Sequence, residues 1–445
     1  MFIVLKKPVD FVSLHAAHTA RYPFLLESVA SSEQARYDIL FAFPQTKLVL
    51  HPPHQMTLDG APVNTTFLNT FEQCWQTHAA QTQAPQEDPT FPFSGGWFIY
   101  LSYEFAHEIE PSLTMPQHTT QPMAYAVRIP AALIYDHQTG HTIVFAEHDD
   151  SMIPRIQADI NTLSPQVSPS GPLAELQEDD PAAFLQGVET IKRYILEGDV
   201  FQVNLSRAWQ GTLHPGVNAT DIYRSLRQTN PAPFAGLATF AGHTICSSSP
   251  ERLVCVRKGW VQTRPIAGTR PRSQQTHTDQ NLAQSLLAHP KERAEHIMLI
   301  DLARNDLGRL CQPGSIQVDE FMVLESYAHV HHIVSNIQGQ LRQTIKPSDV
   351  IAATFPGGTI TGCPKVRCMQ IIAALEQQAR SAYTGSMGYI NHDGSMDLNI
   401  LIRSLSITHQ QCSFRAGAGI VADSDPIKEL EETRAKAKGM IQCLH

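Results

Sequence analysis

The chain has 445 residues, of which 42% are hydrophobic and 17% charged, and its formal net charge is −9 at pH 7. This composition is typical of a globular protein with ample core, and the acidic balance argues against nucleic acid or an anionic membrane as the general partner. No apolar run approaches the ~20 residues of a membrane span. Residues 1–8 are too short and basic for a secretory signal, and the eight cysteines form no CxxC pair. We therefore expect reduced thiols and a cytoplasmic protein.

The first 164 residues predict an N-terminal unit that is rich in strands. Short apolar runs alternate there with turn residues, and two of the runs flank a polar turn at 136–140, which predicts a hairpin. A polar, proline-bearing stretch at 83–92 predicts a loop. The strand-like runs are 37–43, 95–101, 125–128, 131–135 and 141–146.

Residues 165–181 have the composition of a linker and mark the predicted domain boundary. After them, an amphipathic pattern predicts a helix over 183–197 that ends at Gly198. We expect residues 182–445 to form the second unit. Hairpin strands mixed with separated helices, without regular βαβ alternation, predict the α+β class with antiparallel sheets.

A glycine-rich stretch, TFPGGTITGCPKVR at 354–367, leads into a predicted helix that starts near Pro364. Free N–H groups at such a helix N-terminus attract anions. A tight turn without a ligand is an equally good interpretation. The spacing is not that of a nucleotide P-loop, because Lys365 lacks the preceding Gly and the following Ser or Thr.

Two pairs of glutamates share one spacing. A proline predicts the start of each of two helices, and each helix then carries two glutamates three residues apart on one face: Glu292 with Glu295, and Glu429 with Glu432. Taken singly, such pairs are most often solvated helix faces, and Lys436 is a surface partner for Glu432. Four carboxylates could instead hold a hard divalent cation.

Three further features allow more than one interpretation. Arg403 interrupts an apolar, strand-like run at 398–404, which suits either a carboxylate-binding role or a structural ion pair. The stretch 416–422 (AGAGIVA) is too close to the end of the sequence for a dinucleotide unit, so a backbone nest for a carboxylate is the better interpretation. The histidines at 329–332 have no matching Cys/His pair, which makes zinc a weak hypothesis.

Ordered motifs between residues 180 and 440 resemble the chorismate-utilising enzymes, which include the anthranilate, aminodeoxychorismate, isochorismate and salicylate synthases. The resemblance implies a two-lobed α/β sandwich of large antiparallel sheets with outer helices, and a site between the lobes. The matching stretches are 202–206 (QVNLS), 249–252 (SPER), 264–272 (RPIAGTRPR), 291–296 (KERAEH), 301–306 (DLARND), 332–335 (HIVS), 354–367 and 432–433 (ET).

The resemblance also implies roles for single residues. Glu295 and Glu432 resemble ligands of Mg²⁺, supported by Glu292 and Glu429, and the ion would grip the ring carboxylate of chorismate. The remaining roles follow the same motifs: Tyr383, Arg403 and the Gly419 backbone resemble the clamp on the enolpyruvyl carboxylate, Glu251 the acid at the departing C4 hydroxyl, His332 its partner, and Gly268, Thr269 and Thr361 lining residues.

Within this family, Gln202 occupies the position where water-adding members carry a lysine base, which favours an aminating enzyme. Asn204 and the turn at 355–362 resemble aminodeoxychorismate synthase component I, whereas Ala267 stands where many of those enzymes have a lysine and gives the anthranilate synthase form of the motif. We expect aminodeoxychorismate synthase, with anthranilate synthase as the alternative. A non-catalytic chorismate-binding subunit is a third hypothesis, disfavoured by the complete set of site residues.

Nitrogen supply and regulation complete the expectations. No glutaminase nucleophile motif occurs, so a separate glutamine amidotransferase subunit is expected to deliver ammonia. Leu26, Glu27 and Ser28 lie in a stretch, LLES at 25–28, that resembles the tryptophan-binding motif of anthranilate synthase and marks a possible effector site.

Overall fold

In the computed structural model of the protein, the described residues are 1–30, 36–81, 91–118, 120–147, 151–164, 171–273, 275–326 and 330–445. The side chains of residues 81, 269, 271, 291 and 330 also lie outside the description, which includes that of the expected lining residue Thr269. Within these ranges, no helix combines the length and the apolar character needed to cross a membrane.

The described residues contain 24 strands, which form two sheets of 12 strands each. In chain order the strands are β1 (Phe2–Leu5), β2 (Phe24–Glu27), β3 (Tyr37–Ala42), β4 (Lys47–His51), β5 (Gln55–Leu58), β6 (Ala61–Val63), β7 (Gly96–Leu101), β8 (Ala124–Ile129), β9 (Ala131–Asp136), β10 (His141–Ala146), β11 (Ala174–Glu178), β12 (Gln202–Leu213), β13 (Phe234–Phe240), β14 (His243–Ser249), β15 (Arg252–Arg257), β16 (Trp260–Thr263), β17 (Ile266–Pro271), β18 (Gln317–Ser326), β19 (Val330–Gln340), β20 (Gly362–Cys363), β21 (Ser386–Asn391), β22 (Met396–Asn399), β23 (Ser404–Thr408) and β24 (Gln411–Ile420).

The helices lie between these strands in sequence. They are α1 (Phe11–Ala17), α2 (Phe67–Gln81), α3 (Ala106–Ile109), α4 (Met152–Asn161), α5 (Pro181–Leu196), α6 (Ala219–Thr229), α7 (Thr276–Ala288), α8 (Pro290–Gly308), α9 (Pro347–Thr354), α10 (Lys365–Glu376) and α11 (Pro426–Leu444), with short 3₁₀ turns at Tyr103–Phe105 and Gly358–Ile360.

Both sheets are antiparallel, and each takes strands from both ends of the chain. The first sheet has the order β1-β10-β9-β3-β2-β13-β14-β23-β24-β12-β11, with β20 added to β12. The second has the order β17-β19-β16-β15-β22-β21-β7-β8-β4-β5-β6, with β18 added to β19. The pairs β2–β13 and β7–β21 join early strands to late ones. The predicted α+β class with large antiparallel sheets and outer helices is confirmed.

The core has an aromatic layer between the sheets and helical layers outside them. Phe24 of β2 stacks on Phe98 of β7 with ring centroids 3.9 Å apart, and both rings are buried. Burying one such ring contributes on the order of 2–3 kcal/mol. One outer cluster includes α2 and α8, which pack against the second sheet, α9 beside them, and α10, which packs against β12 of the first sheet. Another packs α1, α4, α6 and α11 against the first sheet.

The local predictions match several elements. The hairpin forms as β9 and β10, and α5 ends before Gly198, whose φ of 83° suits a residue without a Cβ. Asp425 caps α11 through its side chain, which accepts the backbone N–H of Lys428. Most of the expected loop at 83–92 lies outside the described residues.

The stretch 165–181 needs a correction, because it is not linker throughout. Residues 174–178 form the edge strand β11, which pairs with β12 over five positions from Ala174 to Glu178. Ala174 is buried on this strand while Glu175 is exposed, an alternation that a polar composition concealed. The division into units 1–164 and 182–445 stays a prediction, and strands of both units share both sheets.

Candidate active site

The site lies where β12 and β24 of the first sheet approach α8, which packs against the second sheet. Gln202 begins β12, and its Nε2 donates a hydrogen bond of 2.8 Å to Oε1 of Glu295 on α8. A Cβ added to Gly419 of the neighbouring strand β24 would lie 2.3 Å from this Nε2 and 3.5 Å from Oε1 of Glu295. Glycine at position 419 therefore leaves room for the Gln202–Glu295 contact.

The four predicted glutamates come from two helices, and each has its own surroundings. Glu292 forms an ion pair of 3.2 Å with Arg270, Glu432 forms one of 2.8 Å with Lys436, and Glu429 is buried on α11. Among the described residues, no three His, Cys, Asp or Glu side chains converge into a group that could hold a metal ion. The four carboxylates thus do not form a closed cage.

The charges of Glu292 and Glu432 nevertheless both act on Glu295. Burial raises the pKa of the Glu295 carboxyl, and the nearby carboxylates of Glu292 and Glu432 raise it further, against the hydrogen bond from Gln202 and the charge of Lys436. A carboxylate whose pKa is raised by neighbouring carboxylates would be stabilised by a cation shared with them. Mg²⁺ commonly takes one or two protein carboxylates and completes its shell with water and substrate oxygens, so Glu295 and Glu432 fit such an open site.

Lys436 is a site residue that the sequence reasoning treated only as a surface partner. Its ammonium donates to the backbone oxygen of Gly417 at 3.0 Å and pairs with Glu432 at 2.8 Å. The side chain is 40% exposed, and its partial desolvation opposes the charged form, but the Glu432 carboxylate keeps the pKa of Lys436 above its usual value. Its charge also acts on Glu251 and Glu295. The signal was present, because residues 429, 432 and 436 share one face of α11.

Glu251 is a buried carboxyl with the properties of a proton donor. It is 5% exposed and follows β14, and burial raises the pKa of Glu251 to about 7. The hydroxyl of Thr359 donates to its Oε1 at 2.7 Å, and this bond together with the charges of Lys436 and Arg403 favours the ionised form. Thr359, in the glycine-rich turn, was not predicted, since its contact spans 108 residues of sequence.

β17 and β19 carry the next group of predicted residues. Gly268 has φ of 65°, and the register between the two strands shifts there, so its carbonyl comes within 3.4 Å of Nδ1 of His332. Burial, followed by the charge of Arg403, lowers the pKa of His332 to about 3. The imidazole is therefore neutral at physiological pH. Ala267 is buried opposite Ile333.

The backbone around Arg403 differs from the strand-like run expected from the sequence. Residues 398–404 are not one strand, because β22 ends at Asn399, β23 begins at Ser404, and Arg403 between them has φ of 51°. The resulting bend brings the arginine charge close enough to lower the pKa of His332 and to oppose the rise at Glu251.

The remaining predicted clamp residues lie beside β24. A Cβ added to Gly417 would come 2.7 Å from both the Tyr383 hydroxyl and Oδ1 of Asn204, so both side chains cover this glycine. Burial raises the pKa of the Tyr383 hydroxyl, which therefore stays protonated and able to donate. In the stretch 416–422, residues 416–420 belong to β24 and a turn begins at Ala422.

The glycine-rich stretch serves close packing. A Cβ on Gly358 would lie 2.2 Å from Leu302, and one on Gly362 would lie 2.0 Å from the backbone oxygen of Gln202. Thr361 is buried, and its backbone oxygen accepts the N–H of Asn204 at 3.0 Å. The Lys365 ammonium forms an ion pair of 2.8 Å with Asp306. These contacts favour the tight turn over an anion cradle.

The predicted effector residues lie at a separate cavity. Leu26 and Glu27 belong to β2, and Ser28 follows it with its N–H donating to Asp38 at 2.8 Å. Buried Glu27 accepts the hydroxyl of Tyr223 at 2.6 Å. The three predicted residues line this cavity together with Pro233, Met387, Asp397 and Asn399, among others.

Thiol chemistry has no support among the described cysteines. All eight are free, and burial raises the pKa of each thiol above its usual value. A nucleophilic cysteine needs the opposite shift.

Several known proteins are similar to this chain in sequence. A family model described as chorismate binding enzyme matches residues 23–442. An anthranilate synthase component I-like protein of Synechocystis sp. is 43% identical over 359 residues, which are 79% of this chain and 73% of that protein. Aminodeoxychorismate synthase component 1 of Bacillus subtilis is 38% identical over 410 residues, which are 89% of this chain and 85% of that protein.

Solved structures agree on the fold. Anthranilate synthase component I from Streptococcus pneumoniae superposes with a TM-score of 0.82 at 30% identity, over 92% of this chain and 93% of that one. The isochorismate synthase MenF from Escherichia coli superposes with a TM-score of 0.76 at 20% identity, over 100% and 94% of the two chains, and supports the fold alone.

Proposed function

The chain belongs to the family of chorismate binding enzymes, and from this premise we propose that it is component I of an aminodeoxychorismate synthase. The proposed reaction joins chorismate and ammonia to 4-amino-4-deoxychorismate, the precursor of 4-aminobenzoate in folate biosynthesis. Synthases of both aminating kinds occur among its relatives.

One observation supports amination of chorismate rather than addition of water to it. The Gln202 amide, at the position where the resemblance places the lysine base of water-adding enzymes, donates its N–H to Glu295. An amide has no basic lone pair at neutral pH and cannot deprotonate water. Ammonia needs no such base, because it is already a nucleophile.

The described residues support the following steps. The protonated Glu251 carboxyl gives its proton to the C4 hydroxyl, the C4–O bond breaks and the oxygen leaves as water. The nitrogen of ammonia forms the new bond to C4, and the proton lost from the resulting ammonium group returns to Glu251. The cations Arg403 and Lys436 would balance the two carboxylates of chorismate. Neutral His332 would donate or accept a hydrogen bond without adding charge.

Mg²⁺ is the proposed cofactor, with Glu295 and Glu432 as ligands and Glu292 and Glu429 in support. When bound, it would hold the ring carboxylate of chorismate and neutralise its charge. The rise that the Glu292 and Glu432 carboxylates add to the pKa of buried Glu295 supports the choice.

We propose that ammonia attacks chorismate directly, because no lysine in the described part of the cleft is available as a nucleophile. Ala267 offers a methyl group where the resemblance places a lysine, and Lys365 is engaged by Asp306. The amine whose charge acts on both Glu251 and Glu295 is Lys436, which its partner Glu432 keeps protonated. A protonated amine is not a nucleophile. We therefore expect no covalent adduct between protein and chorismate by mass spectrometry.

Anthranilate synthase component I is the second candidate. Ala267 within the motif PIAGT favours it, as do the several relatives that carry this name. In that reaction ammonia would attack C2 rather than C4.

The product of the purified chain with chorismate, Mg²⁺ and an ammonium salt decides between them. We expect a product that yields 4-aminobenzoate after a lyase is added. Blue-fluorescent anthranilate formed without a lyase would establish the second candidate. Glutamine in place of ammonium should give no turnover, since a separate amidotransferase subunit is proposed to supply the ammonia.

The effector site is proposed at the cavity beside β2. Leu26, Glu27 and Ser28 line it, and the site is separate from the cleft that holds Glu251 and Glu295. Binding of an amino acid there can be measured by isothermal titration, with Ser28→Trp as the variant that fills the cavity.

A further inference from the structure

A buried guanidinium connects its own segment, which also carries Tyr383, to two other segments of the site. Arg380 lies between α10 and β21, and its side chain is 1% exposed. Its Nη1 donates to the backbone oxygen of Ile360 at 3.1 Å, and its Nη2 donates to that of Asn204 at 2.8 Å. Its guanidinium lies 5.5 Å from the ring centroid of Tyr383.

Two carboxylates hold this arginine in place. Glu376, also 1% exposed, accepts from Nε at 2.9 Å and from Nη2 at 2.6 Å, which fixes the guanidinium plane. Glu104, from the segment after β7, accepts the backbone N–H of Arg380 at 2.7 Å. The guanidinium also lies 4.7 Å from the ring of Tyr103. All three nitrogens of the guanidinium donate hydrogen bonds, and a buried group bonded in this way has few alternative arrangements.

Each of the three connected segments carries a residue of the cleft. Ile360 follows Thr359, which donates to Glu251. Asn204 lies two residues after Gln202, so both side chains are on the same face of β12. Tyr383 covers Gly417 of β24.

We propose that Arg380 is a positioning residue, which sets the distances between the acid Glu251, the Gln202 face of β12 and Tyr383 without touching substrate. The planar guanidinium bonds two backbone oxygens and both oxygens of a carboxylate at once, whereas an ammonium has only three donors. A lysine at this position would keep the charge and lose the simultaneous bonds to Ile360 and Asn204.

The test compares Arg380→Lys and Arg380→Met with the unchanged protein, following chorismate consumption. Displacing reacting groups by about 1 Å costs on the order of 100-fold, so we expect a 10- to 100-fold lower kcat in both variants. The pH profile gives a second readout. A displaced Thr359 no longer favours the ionised Glu251, so the alkaline limb of kcat should move to higher pH in both.

Arg415→Met is the matched control. Arg415 pairs with the same Glu376 carboxylate at 3.1 Å and is 9% exposed, but it bonds Ser206 rather than Ile360 or Asn204. We expect a loss of thermal stability with kcat and the alkaline limb unchanged. Equal kinetic losses in Arg415→Met and Arg380→Met would overturn the proposal and assign the network a purely structural role.

The result of this experiment does not depend on which product the proposed function assigns to the enzyme. Chorismate consumption is measured whichever aminated product forms, so a wrong product does not affect the comparison. Should Arg380→Met fail to fold, Arg380→Lys decides, with its fold checked by circular dichroism. An unchanged kcat and pH limb in folded Arg380→Lys would refute the positioning role.

Discussion

At the scale of single residues, burial acts on the cleft's ionisable groups in opposite directions. Burial raises the pKa of Glu251 to about 7 and lowers that of His332 to about 3. In each case the low-polarity surroundings disfavour the charged form. The acid is therefore neutral and able to donate below pH 7, whereas the imidazole is neutral across the whole physiological range.

Glu251→Gln should lower kcat by at least ~100-fold, since proton donation typically contributes 10²–10⁴. The same variant should be more stable than the unchanged protein, increasingly so as the pH rises from about 4.5 to about 7. The folded pKa of Glu251 is about 7 against an ordinary value of 4.5, so folding opposes its ionisation above pH 4.5. Thermal unfolding between pH 4 and 8 measures this difference.

The exposed Glu431, paired with Arg434 on the outer side of α11, provides the control. Glu431→Gln should show no comparable pH-dependent gain. A stability difference for Glu251→Gln that is the same at pH 4 and pH 8 would contradict the raised pKa.

Glu295→Gln and Glu432→Gln should each lower activity by at least ~100-fold, because charge stabilisation at a reacting centre has that scale. Both variants should fold. A readout independent of turnover is the rise in melting temperature on adding Mg²⁺, which follows from binding to the native state alone. We expect both variants to lose most of that rise and Glu431→Gln to keep it. Near-normal turnover in both variants would show that these glutamate pairs are solvated helix faces and not metal ligands.

At the scale of elements, the strand pair β12–β24 forms one surface of the site, here called the floor. Two positions of this floor are glycines and carry no side chain. Gly417 and Gly419 of β24 lie directly beneath the side chains of Asn204, Tyr383 and Gln202. A glycine in a strand interior usually weakens it, and a close approach of other groups is the usual reason for its presence.

Gly419→Ala should raise KM for chorismate at least ~10-fold while the protein still folds. The new methyl would collide with the end of a flexible side chain, the Nε2 of Gln202, and would displace it from Glu295. Steady-state kinetics and thermal unfolding separate the two effects. Gly308→Ala is the control, because that helical glycine has only Ile316 at 4.0 Å. An unchanged KM in Gly419→Ala would show that chorismate does not reach this floor.

Sequence patterns predicted the elements whose signal is local. The alternation in β9 and β10, the glycine after α5 and the prolines at the starts of α8 and α11 are signals that each lie within a few residues. Strand β11 and the bend at Arg403 depend instead on partners about 30 or more residues away. Ala174 of β11 pairs with the end of β12, and the Ser248 N–H bonds the Arg403 oxygen.

The same distinction applies to the site. Residue types and spacing indicated the two glutamate pairs, and the resemblance supplied their roles. No local pattern predicts that Gln202 contacts Glu295, 93 residues away, or that Thr359 contacts Glu251. Lys436 was visible on the correct helix face, yet an i,i+4 pair with Glu432 is also the commonest surface arrangement.

At the scale of the whole molecule, the two sheets connect the early and late parts of the chain. Strand β2 pairs with β13 and β7 pairs with β21, and the stacked rings of Phe24 and Phe98 lie between them. The first unit therefore contributes strands to both sheets and more than half of the buried residues in the layer between them.

The fragment 182–445 produced alone should not reach the native fold. It would leave the edges of β13 and β21 unpaired and expose the apolar layer that Phe24 and Phe98 cover, and such edges favour aggregation. Size-exclusion chromatography and near-ultraviolet circular dichroism are the measurements. Adding the fragment 1–164 during refolding should restore the spectrum in part. A monomeric, cooperatively unfolding fragment 182–445 would show that the second unit folds independently.

The pairing of β7 with β21 also has a consequence in time, during synthesis on the ribosome. All six residues of β7 are buried in the finished protein, yet its partner strand is made about 285 residues later. At about 5–20 residues per second, the nascent chain carries this open hydrophobic edge for roughly 15–60 s. Only the early neighbour β8 can cover its other side in that interval. A chaperone that recognises extended apolar segments would therefore find its main target in the first third of this polypeptide.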